Sequence, residues 1–152
     1  MTYTNQRGFT LLEIIIVMGL VGVIAMFGVA MSLSSVSRSS VMQERDLFVT
    51  LLLRGARAEA IANVGEISHG VEFDNANHRY ILFEGNDPSD DPSTNRIVVY
   101  TNESITINNT GGSTIVFEQL SGDVTTGAGT ITLSNGNSTQ EIIIREVGQI
   151  DW

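Results

Sequence analysis

Apolar and polar residues are distributed unevenly along the chain, and one long apolar run lies near its start. Residues 14–31 read IIIVMGLVGVIAMFGVAM, without a charge, a proline or a strongly polar side chain. A helix needs about 20 such residues to cross the hydrocarbon core of a membrane. Phe9, Leu11 and Leu12 extend the run on its N-terminal side. The pattern therefore predicts a membrane-spanning helix over residues 9–31.

The helical pattern continues beyond this run. A serine-rich stretch follows, and neither proline nor glycine interrupts it before Gly55. Asn63 and Gly65 then provide a stop, since both tolerate the left-handed conformation that ends helices. We expect residues 32–64 to form an amphipathic continuation whose apolar stripe packs closely against a sheet. The stripe predicted from helical spacing consists of Leu47, Leu51, Gly55, Ala58 and Ala62, flanked by Phe48 and Leu52.

Beyond the predicted helix, the period changes to that of β-strands. Short β-branched or aromatic runs alternate with turn clusters rich in Gly, Asn and Asp, and the pair Asn135-Gly136 indicates a hairpin. The fold class predicted is α+β, with a long N-terminal helix packed on an antiparallel β-sheet head over residues 65–152. About seven strands are expected, at residues 71–73, 80–83, 97–100, 105–107, 115–117, 131–133 and 142–144.

One carboxylate lies inside the first apolar stretch, at Glu13. A charged side chain costs up to about 2.5–3.5 kcal/mol at the centre of a membrane helix, and less near its edge. An ordinary secretory signal cut after Ala30, or a plain membrane anchor, has no use for such a residue. A third interpretation supplies Glu13 with a partner.

Residues 7–13, RGFTLLE, resemble the prepilin signature of type IV pilins and type II secretion pseudopilins. The resemblance implies that a prepilin peptidase cuts after Gly8, removing residues 1–8 as a leader, and N-methylates Phe9. The acid that this family carries five positions into the mature chain falls on Glu13. In a filament, Glu13 of one subunit then neutralises the Phe9 amine of a neighbour and sets the axial register. Removing one partner of such a desolvated pair costs several kcal/mol.

Three later segments are similar to the GspH/FimT family of minor pseudopilins: residues 51–61 (LLLRGARAEAI), 117–122 (FEQLSG) and 146–150 (EVGQI). The resemblance implies a minor structural subunit of a type II secretion pseudopilus or type IV pilus, not an enzyme. It also implies a single-pass inner-membrane protein with its head outside the cytoplasm, which later enters a filament. The implied partners are the prepilin peptidase, other pilin or pseudopilin subunits and the inner-membrane assembly platform.

Composition limits the other function classes. The 152 residues include 8 basic and 17 acidic side chains, for a net charge of −9, and no cysteine. Thiol catalysis, disulfides and cysteine-based zinc sites are excluded, and no nucleophile elbow or phosphate-binding loop supports an enzyme. FimT-type members are linked with DNA uptake through basic residues near the C-terminus. Here only Arg145 occurs there, among acidic residues, so we expect no nucleic-acid partner.

Alternatives to the minor subunit are a major type IV pilin, a DNA-uptake minor pilin and a secreted β-rich binding module with an ordinary signal peptide. The N-terminal residue of the mature protein separates the last of these from the pilin-type subunits, because it is methylated Phe9 in one case and Met31 in the other. Abundance in a purified filament separates a major pilin from a minor one.

Two groups of residues remain as candidate ligand sites. The loop of residues 85–95 contains Asp87, Asp90 and Asp91, and carboxylates on a flexible loop suit calcium. The loop lacks the spaced D-x-D-x-D-G pattern, so a solvated acidic loop is favoured and no cofactor is expected. His69 and His78 are expected to face each other across a hairpin, at a surface or edge position rather than in a metal site.

Overall fold

The computed structural model describes residues 10–152, with side chains for residues 10–26 and 38–152. The chain divides into two compact units, Met1–Val36 and Ser37–Trp152. Helix α1 spans Leu11–Leu47, and its N-terminal part makes up the described portion of the first unit. Within the described residues, none of the helices combines the length and apolar character needed to cross a membrane.

In the second unit, the helical backbone continues beyond α1. A π-helical turn covers Phe48–Leu53, and helix α2 covers Arg54–Ile61. Asn63 (φ 58°) and Gly65 (φ 65°) are both left-handed, and the short 3₁₀ turn Val64–Glu66 follows the helix. The predicted helix stop is therefore confirmed.

In the described part of the chain nine strands follow the helices, and all seven predicted runs are among them. The two additional strands, Val124–Thr126 and Ile150–Asp151, are only three and two residues long, too short for a period-2 pattern to reveal. In chain order the strands are β1 (His69–Asp74), β2 (Arg79–Glu84), β3 (Arg96–Val99), β4 (Thr106–Asn109), β5 (Thr114–Phe117), β6 (Val124–Thr126), β7 (Gly129–Ser134), β8 (Thr139–Ile144) and β9 (Ile150–Asp151).

The strands form two antiparallel sheets. The five-stranded sheet has the order β3-β2-β1-β5-β6, and the four-stranded sheet has the order β4-β7-β8-β9. The predicted hairpin at Asn135-Gly136 joins β7 to β8 with Ser134 opposite Thr139, and Gly136 adopts φ 83°. The α+β class with an antiparallel head is thus confirmed.

Asn75 joins the two sheets at the turn between β1 and β2. Its side-chain amide donates to the Ile107 carbonyl (2.7 Å), and its side-chain oxygen accepts from the Ile107 amide (3.0 Å). The Tyr100 hydroxyl also donates to this oxygen, at 3.2 Å. Because Ile107 lies in β4, one side chain of the first sheet satisfies both backbone groups of a residue in the second sheet.

The buried face of the helix coincides only in part with the predicted stripe: Phe48 and Leu52 are buried and Leu47 packs against the core, but other positions of the stripe are exposed. In the predicted stripe, Leu51 is 59% exposed and Ala58 and Ala62 are exposed. Residues 47–62 carry apolar side chains on more than one side of the helix, so their spacing is compatible with two choices of buried face. The π-helical turn then rotates the following residues further relative to an ideal α-helix. The small residues that approach the sheet closely are therefore Ala56 and Ala60. The helix face in the core consists of Val41, Phe48, Val49, Leu52, Leu53, Ala56 and Ala60.

Candidate functional site

Helix α1 begins with a capping arrangement around Glu13. The Glu13 amide donates to the Thr10 carbonyl (3.0 Å) and to the Thr10 hydroxyl oxygen (3.3 Å). Thr10 and Glu13 have the spacing of a capping box, and a carboxylate in the first turn interacts favourably with the helix dipole. This T-x-x-E signal is present in the sequence and indicates where the helix begins. The predicted cleavage and methylation residues, Gly8 and Phe9, lie outside the described residues.

The N-terminal part of α1 presents apolar side chains on all sides. The large apolar residues between Leu11 and Met26 are between 52% and 79% exposed. Within the described part of the chain, the Glu13 carboxylate makes no ion pair. An apolar surface of this extent marks a site of contact with other molecules.

A buried carboxylate that the sequence analysis did not select connects the helix to the head. Glu44 is fully buried and accepts hydrogen bonds from the Tyr80 hydroxyl (2.7 Å), the Thr101 amide (2.8 Å) and the Thr101 hydroxyl. Burial, followed by the hydrogen bond to Glu44, raises the pKa of Tyr80 far above its usual range. Burial likewise raises the pKa of Tyr100. The available signal was spacing, since Glu44 lies three residues after Val41 and four before Phe48.

Arg57 of α2 joins the three segments that resemble the GspH/FimT family. Its guanidinium donates to the Gly122 carbonyl (Nε, 3.1 Å) and to the Val147 carbonyl (Nη2, 3.4 Å). A Cβ atom at Gly148 would collide with the Gly122 carbonyl oxygen and lie 2.5 Å from Nε of Arg57. We refer to Arg57, Gly122, Val147 and Gly148 as the Arg57 clasp. It explains why the segment EVGQI carries glycine at 148, whereas a Cβ at Gly122 (φ 69°) would collide with the Ile61 side chain.

The turn before Gly122 also closes the end of the helix. The Leu120 amide donates to the Ala60 carbonyl (2.9 Å), and the Gln119 side chain donates to Asn63 Oδ1 (2.5 Å). The same carbonyl, in the last helical turn, also accepts from the Asn63 amide (3.1 Å), so the FEQLSG segment adds a donor from a distant part of the chain to the local one. The FEQLSG segment therefore acts as a cap for α2.

The two histidines do not face each other, contrary to the prediction. His69 is paired with Glu84 at one end of the β1–β2 hairpin, whereas His78 precedes β2 at the other end. His78 lies edge-on to the ring of Tyr100, with 6.0 Å between ring centroids. The turn between β1 and β2 lies next to His78, whereas His69 is at the far end of β1, so the two histidines are separated by the length of a strand.

His69 is also buried rather than at a surface or edge, because β1 is the central strand of its sheet. Its Nε2 lies 2.9 Å from the Val64 carbonyl and donates to it, since a carbonyl only accepts. Its Nδ1 lies 3.6 Å from Oε2 of Glu59, and Arg96 Nη2 is 2.6 Å from the same oxygen. These contacts link α2, β1 and β3.

The acidic loop organises its carboxylates in local turns. Asp87 accepts from the amide and hydroxyl of Ser89, and Asp91 accepts from those of Ser93. These hydrogen bonds lower the pKa of Asp87 and of Asp91. Asp90 accepts from two backbone amides. The described residues contain no group of three or more acidic, His or Cys side chains arranged to hold a metal. A solvated acidic loop without a cofactor stays a prediction.

The basic residue near the C-terminus is paired with an acid. Nε of Arg145 lies 3.1 Å from Oδ2 of Asp151. Hydrogen bonds from Gln149 and Arg145 lower the pKa of Asp151, so this carboxylate is charged at neutral pH. The pair leaves little net positive charge for a phosphate backbone.

Two family models match the chain. The model described as "Type II transport protein GspH" matches residues 49–148, which include Arg57, Gly122 and Gly148. The model described as "Prokaryotic N-terminal methylation motif" matches residues 3–29. No curated protein and no solved structure matches the chain. Pilin-type families of this kind are membrane-anchored structural subunits, not enzymes, and they assemble with one another after processing by a prepilin peptidase. The chain therefore belongs to the GspH family of type II transport proteins, as a minor pseudopilin or pilin subunit of a type II secretion pseudopilus or type IV pilus.

Proposed function

We propose that the prepilin peptidase cuts this chain after Gly8 and methylates the amine of Phe9. The match to the methylation motif over residues 3–29 supports this assignment. The start of α1 at Leu11, with Thr10 as its cap, supports it further. Cleavage there leaves Phe9 two residues before the first helical residue, and the new positive amine then lies at the helix N-terminus.

Residues 9–31 anchor the subunit in the inner membrane in a single pass, with the head outside the cytoplasm. The assembly platform then transfers the subunit into the filament. One observation carries this proposal: the apolar side chains of α1 up to Met26 are more than half exposed on every side, with Glu13 as the one charge among them. Lipid covers this surface first, and the helices of neighbouring subunits cover it in the filament.

Glu13 sets the position of the subunit in the filament by binding the Phe9 amine of a neighbour. The support is that the Glu13 carboxylate makes no ion pair with any part of its own chain that the structure describes. In an apolar filament core, a charge without a partner is costly, and an opposite charge on the adjacent helix removes that cost.

Mass spectrometry of the protein isolated from membranes tests the processing step. The expected N-terminal residue is Phe9 carrying one methyl group, and the control is the same protein from cells that lack the prepilin peptidase, which should begin at Met1. A mature protein that begins at Met31 contradicts the proposal, because an ordinary signal peptidase has then removed the helix.

Variants of Glu13 test the register step. Glu13→Ala and Glu13→Gln should leave the membrane fraction of the protein unchanged but strongly reduce its share in sheared filaments. Glu141→Ala, which removes an exposed carboxylate from the head, serves as the matched control and should assemble normally. Normal incorporation of both Glu13 variants contradicts the register role while leaving the processing step intact.

A further inference from the structure

A groove on the second unit lies between helix α2 and the segment 148–150. Its volume is ≈ 440 Å³, which accommodates a few side chains of a partner. Arg54, Arg57, Ala58 and Ile61 line it from α2, and Ile150 lines it from the C-terminal segment. We refer to these five residues as the Arg54 groove.

The two arginines of the groove have no carboxylate partner among the described residues. Arg57 donates to the carbonyls of the Arg57 clasp, and Arg54 lies over the ring of Trp152, 4.3 Å from its centroid. Arg45, Arg79, Arg96 and Arg145 each pair with an acid. In a chain with a net charge of −9, two such positive charges side by side form a local site for a carboxylate.

Apolar surface adjoins these charges. Ile61 is 44% exposed and Trp152 is 50% exposed, although both are large apolar side chains. Ala58, which the sequence pattern assigned to the core, faces outward beside them. Apolar and aromatic side chains beside an arginine are typical of the centre of protein interfaces, where Trp and Arg are enriched.

We propose that the Arg54 groove binds an acidic segment of a different pilin-type subunit. A carboxylate of that segment pairs with Arg54, and an apolar side chain beside it packs against Ile61 and Trp152. A second copy of this chain is the poorer occupant, because two chains of charge −9 repel each other. This proposal rests on the proposed function, since it names a neighbour in the filament.

Photo-crosslinking in cells that assemble the filament tests the site. p-Benzoylphenylalanine replaces Ile61 in the full-length chain or, as a matched control, Ile143, which has the same side chain and the same exposed fraction of 44%. Irradiation should join position 61, and not position 143, to another subunit that carries a prepilin signature. Mass spectrometry should locate the adduct next to an Asp or Glu of that subunit. An adduct only between two copies of this chain, or equal adducts at both positions, overturns the proposal.

Charge variants provide a second measurement that does not depend on the crosslinker. Arg54→Glu should reduce co-purification with the crosslinked subunit by about fivefold, whereas Arg54→Lys should largely retain it. Replacing the carboxylate found in the partner with Arg should restore binding to the Arg54→Glu chain. Unchanged co-purification of Arg54→Glu overturns the proposal. If wild-type protein is methylated on Phe9 and present in filaments while these tests fail, the groove proposal falls and the proposed function stands.

Discussion

The hydroxyl of Tyr80 donates a hydrogen bond of 2.7 Å to Oε1 of Glu44 inside the second unit. Glu44 lies in α1 and Tyr80 in β2, so this bond joins the helix to the five-stranded sheet. Thr101 donates to the other carboxylate oxygen, and Phe48 stacks on the Tyr80 ring with 5.0 Å between centroids. Every oxygen of the buried carboxylate is thus satisfied, and the loss of one partner leaves a buried polar group without a hydrogen bond.

Removing the Glu44 carboxylate should therefore destabilise the head strongly. Glu44→Ala leaves the Tyr80 hydroxyl and the Thr101 amide without their acceptor, and each buried group of this kind costs about 1–3 kcal/mol. We expect a loss of about 3 kcal/mol in the free energy of unfolding, and a smaller loss for Glu44→Gln, which retains an acceptor. This loss is measured by urea unfolding in detergent, monitored by the near-ultraviolet circular dichroism of the tyrosines. As a control, the free energy of unfolding of Glu141→Ala should stay within about 0.5 kcal/mol of wild type. Equal losses for Glu44→Ala and Glu141→Ala contradict a stabilising role of Glu44.

The stability of the head should fall in alkaline solution because Tyr80 and Tyr100 are neutral in the folded state. Their pKa values are raised by burial, whereas an unfolded tyrosine ionises near pH 10. Above that pH the unfolded chain binds fewer protons than the folded chain, so the free energy of unfolding decreases by about 1.4 kcal/mol per pH unit for each tyrosine. The contribution is fully present below pH 10 and is lost as the pH rises.

The variant Tyr80→Phe tests the predicted decrease in the free energy of unfolding above pH 10. In urea unfolding between pH 9 and pH 12, the free energy of unfolding of this variant should decrease with pH about half as steeply as that of wild type. One of the two tyrosines whose ionisation is coupled to unfolding is then absent. The chain contains no lysine and no cysteine, so few other side chains titrate in that range. An unchanged slope means that Tyr80 ionises as readily in the folded state as in the unfolded state.

A side chain at Gly148 should disrupt the Arg57 clasp. Gly148 (φ 73°) and Gly136 (φ 83°) share the left-handed conformation, but a Cβ at Gly136 meets open space, whereas one at Gly148 meets the Gly122 carbonyl and Arg57. Both alanine variants incur the backbone cost of about 1–2 kcal/mol. We expect Gly148→Ala to lose at least about 2 kcal/mol more than Gly136→Ala in urea unfolding, from overpacking. Equal losses mean that the clasp tolerates the extra atom.

Asn75 should contribute to holding the two sheets together. Asn75→Ala leaves both backbone groups of Ile107 without their partner, which should cost about 2 kcal/mol. Asn77→Ala, in the same turn, removes an exposed amide that bonds only to Asp74 and should cost less than about 1 kcal/mol. Thermal unfolding followed by near-ultraviolet circular dichroism compares the two variants, and equal losses contradict a special role for Asn75.

Local pattern was sufficient to predict the elements of this protein. The long helix with its stop at Asn63, seven of the strands and the hairpin at Asn135-Gly136 follow from periodicity and turn chemistry, which act between residues close in the chain. The segment RGFTLLE and the GspH-like segments were enough to identify the family, because such motifs are read directly from neighbouring residues. The strands β6 and β9 were missed since two or three residues carry no period.

Contacts between distant residues determined the rest. Which helix face is buried depends on the π-helical turn and on Tyr80 and Thr101 satisfying Glu44, and neither is visible in the spacing of apolar residues. The central position of β1 buries His69, and the meeting of Arg57 with Gly122 and Gly148 requires segments 65 and 90 residues apart to fold together. The energy of a buried polar or charged group depends on which partners the fold brings to it. Local periodicity specifies which elements form, whereas long-range packing specifies which of their faces are buried.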